Sequence, residues 1–325
     1  MPVYPLMHQY QPWNLLARLG RQGPRAVAAL VFLAIAVPPL GAFLRPCVPE
    51  AIFLLLTVSF SRLDMAALRG HLRRPALILT ATAWTGIGVP LLFGLIALST
   101  GLNISEPGLF LGLMLQGVTS PMMAAPAMAS LAGLDATIVL ITLVAGTVLV
   151  PVVAPLFAYA LLGHTLAISP GGLALRLFAM LSGSFLFASV IRRVVGVATI
   201  ERHRETIDGG NILLLLVFVT AVMGDVVPQT LAHPMRVAAM AVLAFGVFFA
   251  LLFLTTLVFW RAGRIQALSL GLAASQRNMG LMLAATEGAL PGSTWLWFAL
   301  CQFPIYLSPQ FLVSLLRRIG KRPGD

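Results

Sequence analysis

The side chains with the most chemical potential lie in one short stretch, Ala273-Ala274-Ser275-Gln276-Arg277-Asn278-Met279-Gly280-Leu281. A glutamine, an arginine and an asparagine stand here in the middle of an apolar run from Ile265 to Ala289. A guanidinium presents a planar fork of donors that fits a carboxylate or sulfate, and it can equally hold backbone carbonyls left open by a helix break. If the run crosses a bilayer as a helix, Arg277 sits about 18 Å along it, near the middle of a hydrocarbon core about 30 Å thick. Insertion at that depth costs at least about 2.5–3.5 kcal/mol, so the residue demands a role. Gln276, Arg277 and Asn278 are therefore the first candidates for substrate binding, and Ser275 for the crossing itself.

A second polar group occupies the run from Leu109 to Leu131: Gln116, Gly117, Thr119, Ser120, Pro121 and Pro126. Each proline removes a helical hydrogen bond and clashes with the preceding turn, which predicts a helix broken near its middle. Broken backbone at membrane depth is tolerated only against protein or a polar cavity. Gln116, Thr119 and Ser120 join the candidate binding residues, although Thr and Ser also bond readily to their own helix. Gln302 and Tyr306 can face the same cavity. Thr80, Thr82, Trp84 and Thr85 form a polar run that packing explains nearly as well. No Ser–His, His–Glu–His or paired-aspartate arrangement lies at membrane depth, which argues against an enzyme.

The elements that must position these residues follow from composition. The 325-residue chain is 59% hydrophobic and 10% charged, with mean hydropathy +0.96. Soluble domains carry about 25% charged residues. The apolar runs divide into about ten segments long enough to span, approximately 26–44, 48–64, 75–99, 107–133, 137–163, 172–195, 207–226, 235–260, 265–289 and 293–316. Strand alternation is absent, so an all-α polytopic membrane protein is expected. Residues 1–25 read as a cytoplasmic N-terminal segment, with Trp13–Leu19 either a short interfacial helix or part of a disordered tail. Residues 317–325 read as a basic cytoplasmic tail.

The net charge of +11 reports topology, not nucleic acid. Basic residues gather in alternate connections: Arg18, Arg21 and Arg25; Arg62, Arg69, Arg73 and Arg74; Arg192, Arg193, Arg202 and Arg204; Arg261 and Arg264; Arg317, Arg318, Lys321 and Arg322. The opposite connections hold only Arg45 and Arg236. The positive-inside rule then places both termini in the cytoplasm, most simply across a plasma (inner) membrane. Cys47 and Cys301 are too scattered for a disulfide framework, and neither a metal site nor a cofactor is expected. The partners implied are the lipid bilayer and a small organic anion.

Setting residue n beside n+152 pairs Pro126 with Asn278, Leu131-Ala132 with Leu283-Ala284, Asp135 with Glu287 and Thr142 with Thr294. Asp135 and Glu287 read as helix-end caps, Asp208 and Asp225 as interfacial caps of the seventh span, and Gly108 and Gly112 as small residues that permit close packing. Five spans per half is odd, so the second half, 164–316, is inverted relative to the first, 26–163. Inverted repeats whose interrupted helices meet at the midplane mark secondary transporters.

Gln276-Arg277-Asn278-Met279-Gly280-Leu281 resembles the Q-N-x-G-L segment in the ninth helix of the bile acid:sodium symporter family. Leu131-Ala132-Gly133-Leu134-Asp135, followed by Thr147, Pro151 and Pro155, is similar to that family's L-A-x-G-[DN] turn and fifth helix. The resemblance implies two inverted five-helix repeats with crossing broken helices. The first, second, sixth and seventh spans would form a panel that moves against a core of the other six. At the positions where sodium-coupled members carry ligands, this chain has Ala125, Pro126, Val139, Leu143, Ala273 and Arg277. Methyl groups, a proline and a cation replace hard oxygen donors, so the resemblance implies a carrier of an organic anion, sterol-like or a small carboxylate, without the sodium sites. A fixed arginine would then stand where a mobile cation sits in relatives. A metalloid effluxer of the related arsenite permease family is an alternative, weakened by the lack of a cysteine in the fourth span. An anion channel or a non-transporting sensor is another.

Overall fold

The computed structural model describes residues 12–62, 75–162, 168–286 and 289–320. The expected cap Glu287, the basic loop Arg69–Arg74, the boundary at 163/164 and the tail from Lys321 lie outside the described residues. Among the described residues there is no strand, only one isolated bridge.

The principal helices are α1 (Pro12–Ala36), α2 (Val48–Ser61), α3 (Pro75–Ser99), α4 (Pro107–Gly117), α5 (Ala125–Leu131), α6 (Ala136–Phe157), α7 (Pro170–Val195), α8 (Arg204–Met223), α9 (Pro234–Val258), α10 (Arg264–Ser275), α11 (Met279–Thr286) and α12 (Gly292–Gly320). Short helices Pro38–Leu44, Val197–Arg202 and Val226–Ala232 join some of them. Proline opens α3, α4, α7 and α9, where its missing N–H has no intrahelical partner to lose. Asp135 caps α6 as expected, its Oδ1 accepting from the amides of Thr137 and Ile138 at 3.1 Å. The succession of a long helix, a shorter one, a long one, a broken one and a long one occurs twice along the chain.

Among the described residues, six helical stretches are long and apolar enough to cross a membrane: Pro38–Ser61, Pro75–Ser99, Ala136–Leu161, Pro170–Val195, Arg204–Ala232 and Pro234–Val258. Their outer faces are apolar, with Leu79, Leu95, Val148, Val152, Phe178, Val242 and Phe253 all exposed. Large hydrophobic side chains outside and polar ones within reverse the soluble pattern. The protein is an all-α, membrane-embedded bundle.

The first helix corrects the sequence reading. It begins at Pro12, not near 26, and ends at Ala36. Arg18 and Arg21 lower the local hydropathy, so the apolar signal starts late while the helix does not. Its first half is held by packing. A Cβ on Gly20 would lie 2.0 Å from the Glu205 carbonyl oxygen, and one on Gly209 would lie 1.9 Å from that of Leu16. The backbones of α1 and α8 therefore touch, as small residues allow in membrane interfaces. Gly41 and Gly224 repeat the device at the other end of α8, with an added Cβ on Gly41 2.4 Å from the Gly224 Cα.

Helix α8 also packs on α2, and α2 on α7. Asp208 and Asp225 are not side-chain caps. They pair with Arg62 and Arg45, which flank α2, and so tie α2 to α8 at both ends. On the other side of the molecule α4 packs on α12, and α10 on α6 and α9. Gly112 lets the Trp297 ring approach within 2.7 Å of where a Cβ would sit, and Gly108 does the same for Ser293, as their spacing predicts.

Candidate functional site

Helix α4 stops at Gly117 and α5 resumes at Ala125; α10 stops at Ser275 and α11 resumes at Met279. The two breaks meet, with Pro121 opposite Arg277 in an antiparallel bridge. The Asn278 amide donates to the Ser120 carbonyl at 3.0 Å, and the Met122 amide donates to the Gln276 carbonyl at 2.7 Å. Each break thus satisfies polar groups freed by the other, which is what buried irregular backbone in a membrane requires. Pro121 fits a bridge because its missing N–H is asked of nothing there. Pro126 lies in the first turn of α5, where it helps to start that helix.

Arg277 is 1% exposed. One terminal nitrogen, Nη1, donates to the Thr119 carbonyl at 2.6 Å and to the Thr85 carbonyl at 3.1 Å. Thr119 belongs to the break. Thr85 belongs to α3, and its carbonyl is open for a local reason. Helix α3 widens to a π-helical turn over Trp84–Gly88, where the Val89 amide reaches back to Trp84. The next donor in that ladder would be residue 90, which is a proline. A π-turn beside a proline leaves an acceptor that only a distant donor can fill. Arginine fills it, joining three segments through one nitrogen.

The rest of the guanidinium is not used in this way. Nε and Nη2 have no hydrogen-bond partner among the described residues. Arg277 lines a cavity of about 140 Å³ together with Asn278, Gln302 and Tyr306. Ser59 of α2 and Asn211 of α8 face it from the opposite wall, and the Asn211 Oδ1 also has no partner. The remaining wall is apolar: Ile52, Leu55, Leu56, Met122, Met123, Leu215, Phe218 and Met279. A second cavity, about 280 Å³, shares Met122, Ala124, Asn211, Leu215 and Tyr306 with the first and extends to Arg204 and Asp208.

The other candidates lie elsewhere. Gln116 is buried, and its Oε1 accepts from Trp297 Nε1 at 3.0 Å and faces the Cys301 thiol at 3.8 Å. The Thr119 hydroxyl donates to the Gln116 carbonyl, and the Ser120 hydroxyl accepts from Thr147. Gln276 donates to the Ser308 hydroxyl at 3.0 Å. None of these four lines the cavity beside Arg277. They brace the crossing.

At the positions compared with sodium ligands, Ala125, Val139, Leu143 and Ala273 are buried apolar side chains. Among the described residues no group of three or more His, Cys, Asp or Glu side chains could hold a metal ion.

Sequence reasoning placed Arg277, Asn278, Gln302 and Tyr306 together. It missed Asn211 and Ser59. Asn211 carried a usable signal, being an amide within an apolar run, whereas Ser59 resembles any helical serine bonded to its own backbone. No protein-family model matches the chain, and a search of curated proteins finds no match either.

Proposed function

We propose that the protein is a secondary carrier of an amphipathic organic anion. The observation that carries this reading is the buried Arg277 guanidinium beside a cavity, with one nitrogen committed to the Thr119 and Thr85 carbonyls while Nε and Nη2 have no hydrogen-bond partner among the described residues. An unpaired buried cation costs several kcal/mol, and an anion in the cavity would offset that cost. A carboxylate can take a side-on pair of N–H donors. Asn278, Asn211, Gln302 and Tyr306 add neutral hydrogen-bonding groups, and the apolar wall suits a hydrophobic body. The substrate proposed is a sterol-like or small carboxylate.

The architecture in this reading is ten transmembrane helices in two inverted five-helix repeats. Helices α1, α2, α7 and α8 form the panel and the crossing helices belong to the core. The twofold succession of elements and the antiparallel bridge between breaks support it. The resemblance to the bile acid:sodium symporter family points the same way. Transport proceeds by alternating access and without the family's sodium sites, because Ala125, Pro126, Val139, Leu143 and Ala273 offer no side-chain oxygen.

The test is counterflow of labelled cholate, and of a small carboxylate such as pyruvate, into liposomes containing the purified protein. Saturable counterflow that is unchanged when potassium replaces sodium, and lost in Arg277→Gln, is expected for at least one of the two. Conductance without saturation would indicate a channel, and strict sodium dependence would contradict the reading of the missing ligands.

A further inference from the structure

The cavity beside Arg277 continues toward Arg204 and Asp208 through the residues it shares with the second cavity. Its other end is shut by a contact that the binding site does not use. Ile52, Phe218 and Gln302 line the cavity from three helical stretches. Seven positions along each stretch, away from Arg204, stand Arg45, Asp225 and Trp295. Seven residues make about two helical turns, so these three lie on the faces of the lining residues and about 10 Å beyond them. There they meet. Arg45 pairs with Asp225, and its guanidinium carbon lies 4.7 Å from the centre of the Trp295 ring.

The two contacts join different parts of the molecule. Arg45 and Asp225 flank α2 and α8, which pack on each other, so their ion pair stays within one wall of the cavity. Trp295 belongs to the first turn of α12, which packs on α4 and α9. The stacking is therefore the contact that crosses from one wall to the other. Between it and the cavity, Gly280 of α11 meets Ile52 and Phe218 in an apolar layer. At the opposite ends of α2 and α8 the matching pair, Arg62 with Asp208, borders open space instead.

A guanidinium on an indole face is held by the ring quadrupole and not by a directional hydrogen bond. It can part from the ring without leaving a donor and acceptor unmatched. Arg45 keeps Asp225 when it does, so the separation strands no charge. From this geometry we propose that Arg45 stacked on Trp295 is a gate, closing the end of the central cavity remote from Arg204 and parting to admit the carried anion. The proposal rests on the carrier reading for what passes, whereas the closure itself is measurable without transport.

In the positive-inside orientation this end faces outward, so access from outside tests the gate. Ser59 lines the cavity and Cys47 is exposed, so Ser59→Cys in a Cys47→Ser background supplies a reporter thiol. Cys47→Ser alone serves as the blank for Cys301. The probe is the impermeant cation 2-(trimethylammonium)ethyl methanethiosulfonate, added to right-side-out vesicles. Labelling of Ser59→Cys is expected to be slow, and about tenfold faster with Arg45→Gln or Trp295→Leu added, within the range of one cation–π contact. Trp295→Phe keeps a ring and should give a smaller rise, with the unfolding temperature of every variant measured alongside. Arg236→Gln breaks the Arg236–Glu106 pair, neither member of which lines the cavity, and should leave the rate unchanged. Fast labelling before any gate substitution, a rate unmoved by Arg45→Gln, or an equal rise in Arg236→Gln would overturn the gate. A rise in Arg45→Gln without one in Trp295→Leu would also overturn it, leaving Arg45 as a tie between α2 and α8. The expected rises in a protein that shows no counterflow would keep the gate and set aside the carrier.

Discussion

Helices α5 and α11 hold corresponding places, each the second half of a broken helix, but their surroundings differ. Every residue of α11 is buried, and Gly280 lets it press against α2 and α8, with an added Cβ only 2.5 Å from Ile52 Cδ1 and 3.2 Å from Phe218 Cζ. In α5, Ala127, Ser130 and Leu131 are exposed, and the space between α5 and α8 is a cavity ending at Arg204 and Asp208. The site beside Arg277 is therefore closed along α11 and open along α5. A carrier caught with access from one side would show this asymmetry. The open end is the end where the basic connections gather.

The breaks themselves differ in the same instructive way. Residues 118–124 contribute the Thr119 and Ser120 carbonyls, the Met122 amide and no charge; residues 276–278 contribute the Gln276 carbonyl, the Asn278 amide and the one charged donor, the Arg277 side chain. Removing the charged donor should do the most damage. Arg277→Ala leaves two buried carbonyls unpaired at about 1–3 kcal/mol each, and abolishes anion binding worth about 2–5 kcal/mol. A thermal-unfolding assay and a binding titration measure the two losses separately. Arg277→Lys should recover part of the stability, since an ammonium can reach a carbonyl, but little of the binding, since the fork is gone.

The next effect probes the contrast between α5 and α11. Gly280→Leu must displace Ile52 or Phe218 and is expected to lower stability by about 1–3 kcal/mol. Ala127→Leu, on the open side, should stay within about 0.5 kcal/mol. Equal losses in the two variants would show that the asymmetry is not a property of the folded protein. Smaller again is Asn278→Ala, expected to raise the concentration of anion needed for half-maximal counterflow about fivefold, as for one lost hydrogen bond, with unfolding temperature unchanged. Pro90→Ala is the subtlest. It returns an N–H to the α3 ladder, which competes with Arg277 for the Thr85 carbonyl, and a shift of about 1 kcal/mol or less is expected in either direction.

Much of this arrangement was legible where one residue type forces a local outcome. The prolines and glycine of 117–126 announced the break in the fourth span, Asp135 the cap of the helix that follows it, and an arginine among apolar neighbours the crossing. The start of α1 was hidden because its first half is stabilised by Gly20 lying on α8, a contact 185 to 189 positions away along the chain, while Arg18 and Arg21 erased the apolar signal. The Thr85 carbonyl was equally hidden: its availability depends on a π-turn and on Pro90, its use on a residue in another helix. Gln116 read as a cavity residue because depth along a helix is visible in sequence and direction around it is not. In the fold it turns to Trp297.

The central claim is that the free edge of Arg277 holds the anionic end of an amphipathic molecule. Thermal stabilisation of the purified protein by cholate, set beside its uncharged amide and alcohol analogues, tests it most directly. The account predicts that the carboxylate raises the unfolding temperature, that the neutral analogues do not, and that the difference disappears in Arg277→Lys. Equal stabilisation by the neutral analogues, or a carboxylate response unchanged by the substitution, would contradict it.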